Sequence, residues 1–284
     1  MNVCFIAAGP IEWGSSRMRA YWPAKYMADA SVVTFAQAKA GNLPPADVYV
    51  WQKSADVGIM NQLRDARHVW DVCDPMHWFS PNEARAVVSC VDGLVTSSEA
   101  LADDLADWCG RRVLPVPDCL DMDHFAGRRM GHENGHTIRF IWFGVSVNRV
   151  AIYAALANLL RSCANGYAVE LTILDDRPDM PMRDITGAFP VYHARWTLAG
   201  EVETIAAHDI ALLPAYPGPW GTVKSDNKRQ TATACGLPTV SGMDYHAMVH
   251  LIESPVSREV RVSKTGIVKA EHAAEEWQRC LQSF

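Results

Sequence analysis

Twice along this chain a short, unbroken apolar run ends in a turn and gives way to a helix-forming stretch, and the cycle then repeats. Val3–Ala8 is the first run, closed by Gly9-Pro10; Val32–Phe35, Asp47–Trp51, His68–Val72, Gly93–Thr96 and Val113–Val116 follow. Helical stretches lie between them at 16–29 and at Glu99–Trp108, the latter opened by the N-cap residues Ser97-Ser98. A strand that is apolar at every position must be covered on both faces, which points to a parallel sheet flanked by helices. A second series begins at Ile138–Gly144. It continues through a helix at Val150–Ala164, strands at Glu170–Leu174 and Phe189–His193, a helix at Glu201–His208 and a strand at Asp209–Pro214. A helix at Ser225–Ala234, a strand at Thr239–Ser241 and an amphipathic helix at 271–284 close the chain. The expected class is α/β, with two Rossmann-like doubly wound domains facing a cleft. The expected boundaries are 1–130 and 131–270, with 271–284 as a helix packing back on the first domain. The polar, glycine-containing stretch Arg128–Gly135 reads as the linker.

A length of 284 residues suits two domains, and 49% hydrophobic with 20% charged residues suits a globular chain. The net charge of -6 excludes a globally basic surface and leaves only local basic grooves for nucleic acid. No apolar run reaches the length of a membrane span, and the N-terminus reads as a buried strand without a basic leader, so a cytoplasmic protein is expected. The eight cysteines form no CxxC pair and read as small, reduced core residues.

Ligands of doubly wound sheets bind beyond the carboxyl ends of the strands, so the residues there are the candidates. Pro214–Pro238 carries a glycine- and proline-rich loop and then Lys224, Ser225, Asp226, Asn227 and Lys228 at a helix start. Lysines beside a helix N-terminus suit a diphosphate, while an ordinary capped surface helix has the same composition. Gly144, Ser146, Asn148 and Arg149 follow the strand that opens the second series. Glycine there permits a close phosphate approach, and a plain turn is the alternative. Gly14, Ser15, Ser16 and Arg17 form a candidate acceptor or phosphate loop, or simply a serine-capped turn. Asp74 and His77 could supply a general base, or merely turn the chain at Pro75. Asp121-Met122-Asp123 has the DxD form of a metal site, but no carboxylate cluster accompanies it in sequence, and no metal is expected.

The ordered series of motifs resembles the GT-B glycosyltransferases. Val95–Ala102 leading to Val116–Phe125 is similar to the helix and connection that end their first domain. Trp142–Asn148 is similar to a glycine loop of their second domain. Asp209–Pro214, Lys224–Lys228 and Ala234–Val240 together are similar to their donor segment. Trp51-Gln52-Lys53, Asp71–Pro75 and Ser15–Arg19 also resemble strand ends of a subgroup. The resemblance implies an acceptor-side first domain and a second domain that binds a nucleotide sugar such as a UDP-sugar. It implies Gly144, Ser146, Asn148, Arg149, Lys224, Asp226, Asn227 and Lys228 as donor residues, with Lys228 also catalytic. Many retaining members carry a glutamate where Thr231 stands here, so the donor nucleotide and the stereochemical outcome stay open.

The implied activity is transfer of a sugar from a nucleoside diphosphate sugar to a hydroxyl, by default on a saccharide or lipid-linked glycan. No cofactor is expected, because cations and helix dipoles can neutralise the leaving diphosphate. In an inverting reaction Asp74 or His77 would be the base. The alternatives are a glycosyltransferase acting on a hydroxymethylated base in DNA, a non-catalytic sugar-nucleotide-binding module, and a sugar-nucleotide epimerase. For the DNA reading, Arg17, Arg19, Arg111, Arg112, Arg128 and Arg129 are the candidate groove residues.

Overall fold

Two parallel sheets organise the chain in the computed structural model, which describes residues 1–126, 137–180, 182, 187–253 and 266–284. One compact unit comprises Met1–Asp121, Pro219–Asp226 and Val268–Phe284; the other comprises Met122–Gly218 and Asn227–Ile267. The stretch 219–226, which the sequence reading gave to the second domain, thus packs in the first. The linker residues Arg128–Gly135 lie outside the described residues.

The first unit contains β1 (Val3–Ala7), β2 (Ala30–Thr34), β3 (Val48–Gln52), β4 (Arg67–Val72), β5 (Gly93–Thr96) and β6 (Leu114–Pro115), in the order β2-β1-β3-β4-β5-β6. Every pairing is parallel, with Val3 opposite Val48, Val50 opposite Val69 and Asp71 opposite Val95. Successive residues serve opposite faces. Cys4, Ile6, Tyr49, Trp51 and Trp70 pack with Leu101 and Leu105, whereas Phe5, Ala7, Val48, Val50 and Val69 pack with Ala274, Trp277 and Leu281. This double coverage explains the unbroken apolar runs. Order reverses at β1, so the loops after β1 and β3 meet at a switch point, where such sheets bind ligands.

The helix Ala270–Gln282 supplies one of those faces. Trp277 is fully buried, edge-on to Phe5 at 5.4 Å. The Phe284 ring lies so close to Gly93 that a Cβ there would sit 2.4 Å from it, which is why a side chain is excluded at the start of β5. Helical residues 14–25 widen into a π turn over Arg17–Tyr21, and Arg17, Met18, Arg19 and Ala20 are all buried.

The second unit contains β7 (Ile138–Phe143), β8 (Val169–Asp175), β9 (Val191–Arg195), β10 (Ile210–Leu212) and β11 (Thr239–Val240), in the order β11-β10-β7-β8-β9, again all parallel. Its core gathers Phe140, Trp142, Ile152, Leu159, Leu171, Ile173 and Leu212. The strand expected at Phe189–His193 lies two residues later. The helix expected from Ser225 begins at Asn227, after a separate helical turn at Pro219–Val223. Here the order reverses between β7 and β10, which marks the loops after these strands.

Truncating Trp277 removes a large buried ring from between Phe5 and Arg19. Trp277→Ala is expected to lower unfolding stability by about 3–5 kcal/mol, read from urea denaturation, with the fold retained.

Candidate functional site

The first unit assembles its polar groups at the carboxyl ends of β1, β3, β4 and β5. Gln52, buried at the end of β3, accepts from the Ala8 N–H at 2.8 Å and from the Ser16 hydroxyl at 3.1 Å, and donates to Cys73 Sγ at 3.4 Å. Ser16 in turn accepts from the Gly9 N–H at 3.1 Å. Arg17 donates to the Ile11 and Glu12 carbonyls and lies over the Trp22 ring. Ser16 and Arg17, expected in an acceptor or phosphate loop, are therefore buried and shape the loop itself. Gly14 and Ser15 keep more exposed positions on it.

Arg19 is fully buried. Its Nε and Nη2 hold both oxygens of the equally buried Asp71 at 2.5–3.0 Å; Nη1 reaches Asp118 at 3.2 Å and the Val116 carbonyl. Burial alone would favour the neutral form, but the charges of Asp71 and Asp118 hold the guanidinium protonated, with its pKa above the ordinary value. Arg19 is thus a structural hub and no part of a DNA groove. Arg111 is likewise engaged, donating to the Val88, Val91 and Asp92 carbonyls. Arg128 and Arg129 lie outside the described residues.

Asp74 follows β4 and is held by two lysines. Lys53 Nζ lies 2.5 Å from Oδ2, and Lys224 donates to Oδ1. Burial would raise the Asp74 pKa; Lys224 and Lys53 outweigh it and hold the carboxyl below its ordinary value. A carboxylate so stabilised is a weak base, which counts against the general-base role read from sequence. His77 also sits elsewhere: it lies in the helix Met76–Phe79, buried against Trp108, with Nε2 2.6 Å from Asp104. Lys224, Ser225 and Asp226 lie in this unit, and the Ser225 hydroxyl donates to Asp118 Oδ2 at 2.5 Å. In the DxD sequence, Asp121 accepts from Lys25 and Tyr26, both at 2.7 Å. Among the described residues no cluster of three or more His, Cys, Asp or Glu side chains is arranged to hold a metal ion.

The second unit has its own cluster at the switch point. Lys228, at the start of the helix Asn227–Ala234, places Nζ 4.7 Å from the Trp142 ring centroid. A Cβ on Gly144, directly after β7, would stand 2.7 Å from that Nζ. The absence of a side chain at Gly144 is what lets the ammonium rest at the strand end, next to the positive pole of its helix. Asn148, half-buried, lies on the same loop, its N–H bonded to the Val145 carbonyl at 2.9 Å.

Ser146 and Arg149 have other partners. Ser146 donates from its N–H to Asp176 Oδ1 at 2.7 Å and from its hydroxyl to Oδ2 at 3.3 Å. Arg149 is buried and forked onto Asp175 at the end of β8, with Nη2 2.7 Å from Oδ1 and Nε on Oδ2. An arginine spent on that carboxylate is a brace of the loop and not a ready diphosphate ligand, which corrects its expected role. Of the donor residues expected from sequence, the second unit brings together Gly144, Asn148 and Lys228, with Asn227 beside Lys228. Lys224 and Asp226 fall in the other unit.

Lys53 and Trp142 are the residues that sequence reasoning undervalued. Both stand at strand ends, which was the available signal. Among the described residues Lys53 is also the one non-glycine with a left-handed backbone, φ 65°, held by its N–H to the Asp71 carbonyl and by Trp70 Nε1 donating to its own carbonyl. A lysine kept in that conformation is a local strain that its surroundings enforce.

No protein-family model matches the chain, and no curated protein is similar in sequence. Solved structures are similar in fold. An alpha-glucosyltransferase in complex with UDP and a 13-mer DNA containing an HMU base aligns with TM-score 0.69 at 11% identity, over 99% of each chain. The apo form of OtsA, a trehalose-6-phosphate synthase, aligns with TM-score 0.62 at 10% identity, over 100% of this chain and 98% of its own. An alpha-glucosyltransferase with UDP-glucose and DNA containing an abasic site gives 0.60 at 11%, over 99% and 95%.

Two outcomes test the geometry. Protonating Asp74 costs stability because its pKa is depressed. That stabilisation is present above the unfolded value, near 4, and is lost as pH falls through the lower folded value. Urea midpoints measured from pH 7 to 3 should therefore fall more steeply in this range for the wild type than for Asp74→Asn. Separately, Gly144→Ala should displace Lys228 without unfolding the chain, and an unmoved Lys228 in a crystal structure of that variant would show the contact to be unimportant. The order of strands in both sheets and the likeness to these structures give the chain the GT-B fold.

Proposed function

We propose that this chain is a glycosyltransferase that moves a sugar from a nucleoside diphosphate sugar, a UDP-sugar in the first instance, to a hydroxyl acceptor. The observation that carries the reading is the Lys228 ammonium at Gly144, at the switch point of the second sheet and the start of a helix. An ammonium and a helix dipole at one point favour the charge that develops on a leaving diphosphate. The GT-B fold supports the same reading, since the similar structures include glycosyltransferases solved with UDP or UDP-glucose. Asp74, paired with two lysines, is the wrong kind of carboxylate for a base, so the acceptor hydroxyl would be deprotonated by another group or by the departing diphosphate itself.

A second reading, in which the acceptor is a hydroxymethylated base in DNA, is favoured by one observation. The glucosyltransferase bound to HMU-containing DNA matches this chain over nearly the whole of both. The burial of Arg17 and Arg19 and the carbonyl bonds of Arg111 remove three of the groove residues first expected for it, so that reading rests on the fold likeness.

A ligand that binds only the native state at about 100 times its dissociation constant adds about 2.7 kcal/mol of stability. A panel of nucleoside diphosphates and their sugars should therefore raise the melting temperature with one nucleotide family. Lys228→Ala should keep the fold, lose most of that shift and abolish release of nucleoside diphosphate in the presence of acceptor. Near-normal turnover by Lys228→Ala would refute the site. A shift with no turnover on saccharide or hydroxymethylated DNA would favour a binding module.

A further inference from the structure

The lysines around Asp74 have capacity that Asp74 does not use. Each ammonium has three donors, and the carboxylate takes one from each. Both lysine side chains are 36% exposed, while Asp74 is only 10% exposed. Two cations share one anion, so the group carries a net positive charge on partly exposed side chains.

Aromatic surface adjoins it on one side. Lys224 Nζ lies 4.4 Å from the Trp220 ring centroid, Trp220 meets Phe79 edge-on at 5.7 Å, and Phe79 is 59% exposed. On the other side Lys53 lines a cleft of about 260 Å³ with Ser54, Trp70, Met76, Ser80 and Glu83. Lys53 is fixed by its left-handed backbone, and Lys224 by its ring and by Asp74. Such a strip suits a ligand that joins an anion to a ring: the anion on two pre-placed ammoniums, the ring on Phe79 and Trp220 or in the cleft, where Ser54, Ser80 and Glu83 can bond its hydroxyls.

We infer that Lys53 and Lys224 form the acceptor subsite and that the acceptor carries a phosphate group there. The inference rests on the transferase reading above and names its acceptor class. It also moves Lys224 from the donor role expected from sequence to the acceptor side. The phosphate is a monoester on a sugar or a phosphodiester of a nucleic acid; Asp74 bridges the two lysines, one on each carboxylate oxygen.

Calorimetric titration of the full chain tests this with four probes: inorganic phosphate, a hexose 6-phosphate, the unphosphorylated hexose, and a short single-stranded DNA. UDP is titrated in parallel. The wild type should bind the hexose phosphate or the DNA better than the plain hexose. Lys53→Met and Lys224→Met should each weaken the phosphate-bearing probes about tenfold, the scale of one lost charge-assisted contact, and leave UDP within about twofold. Asp74→Asn, which removes the competing anion, should shift phosphate binding the opposite way. The tighter of hexose phosphate and DNA identifies the source of the phosphate. Equal binding by wild type and both lysine variants, or no phosphate binding by folded wild type, would overturn the inference. So would a parallel loss of UDP binding in Lys224→Met, which would return Lys224 to the donor. Failure of UDP to bind any form, with phosphate binding intact, would instead strike the transferase reading.

Discussion

The Arg19 guanidinium is the point on which the first unit depends. One planar group joins Asp71 at the end of β4, the Thr96 carbonyl at the end of β5, the Val116 carbonyl after β6, and Asp118, while its face lies 5.5 Å from Trp277. A fully buried charge is tolerable only when its donors are matched, and Arg19 has acceptors on three sides. The π turn at 17–21 helps to bury Arg17 and Arg19 together, so the same backbone irregularity shapes the loop after β1 and fixes the ends of the central strands. Ser225 bonds the second oxygen of Asp118, which ties the excursion 219–226 to this network.

The second unit solves the same problem in a similar way. Arg149, in the segment after its first strand, forks onto Asp175 at the end of the neighbouring strand β8. In both units an arginine that sequence alone offers as an anion ligand is consumed by a buried aspartate. The other cations at strand ends are lysines: Lys228 at Gly144, and Lys53 with Lys224 around Asp74. The division has a physical reason. The rigid guanidinium fork suits a buried bidentate brace, whereas an ammonium on a flexible stem has three donors that can be shared among several partners.

Electrostatics also sorts the carboxylates. Asp71 and Asp175 are buried partners of arginine, Asp121 is taken by Lys25 and Tyr26, and Asp74 is held ionised by two lysines. Burial pushes the Asp71 carboxyl up although the Arg19 charge opposes it, and this group is fully buried against Arg19, whereas the two lysines hold Asp74 below its ordinary value. The chemistry these units favour is neutralisation of anions, which is what phosphate-bearing substrates demand.

Much of this was legible in the chain itself. Continuous apolar runs of β-branched and aromatic residues, alternating with capped helices, dictate doubly covered parallel sheets, and the two-series pattern dictates two of them. Gly144 and Lys228 were legible because a glycine after a strand and a lysine at a helix start are local features. Partnership was not. That Arg149 is spent on Asp175, that Ser16 serves Gln52, and that Lys224 pairs with Asp74 are decided by contacts between residues 26 to 150 positions apart. A sequence shows which groups can bind an anion; only the folded chain shows which of them already hold one, because that depends on which buried carboxylates the sheet brings within reach.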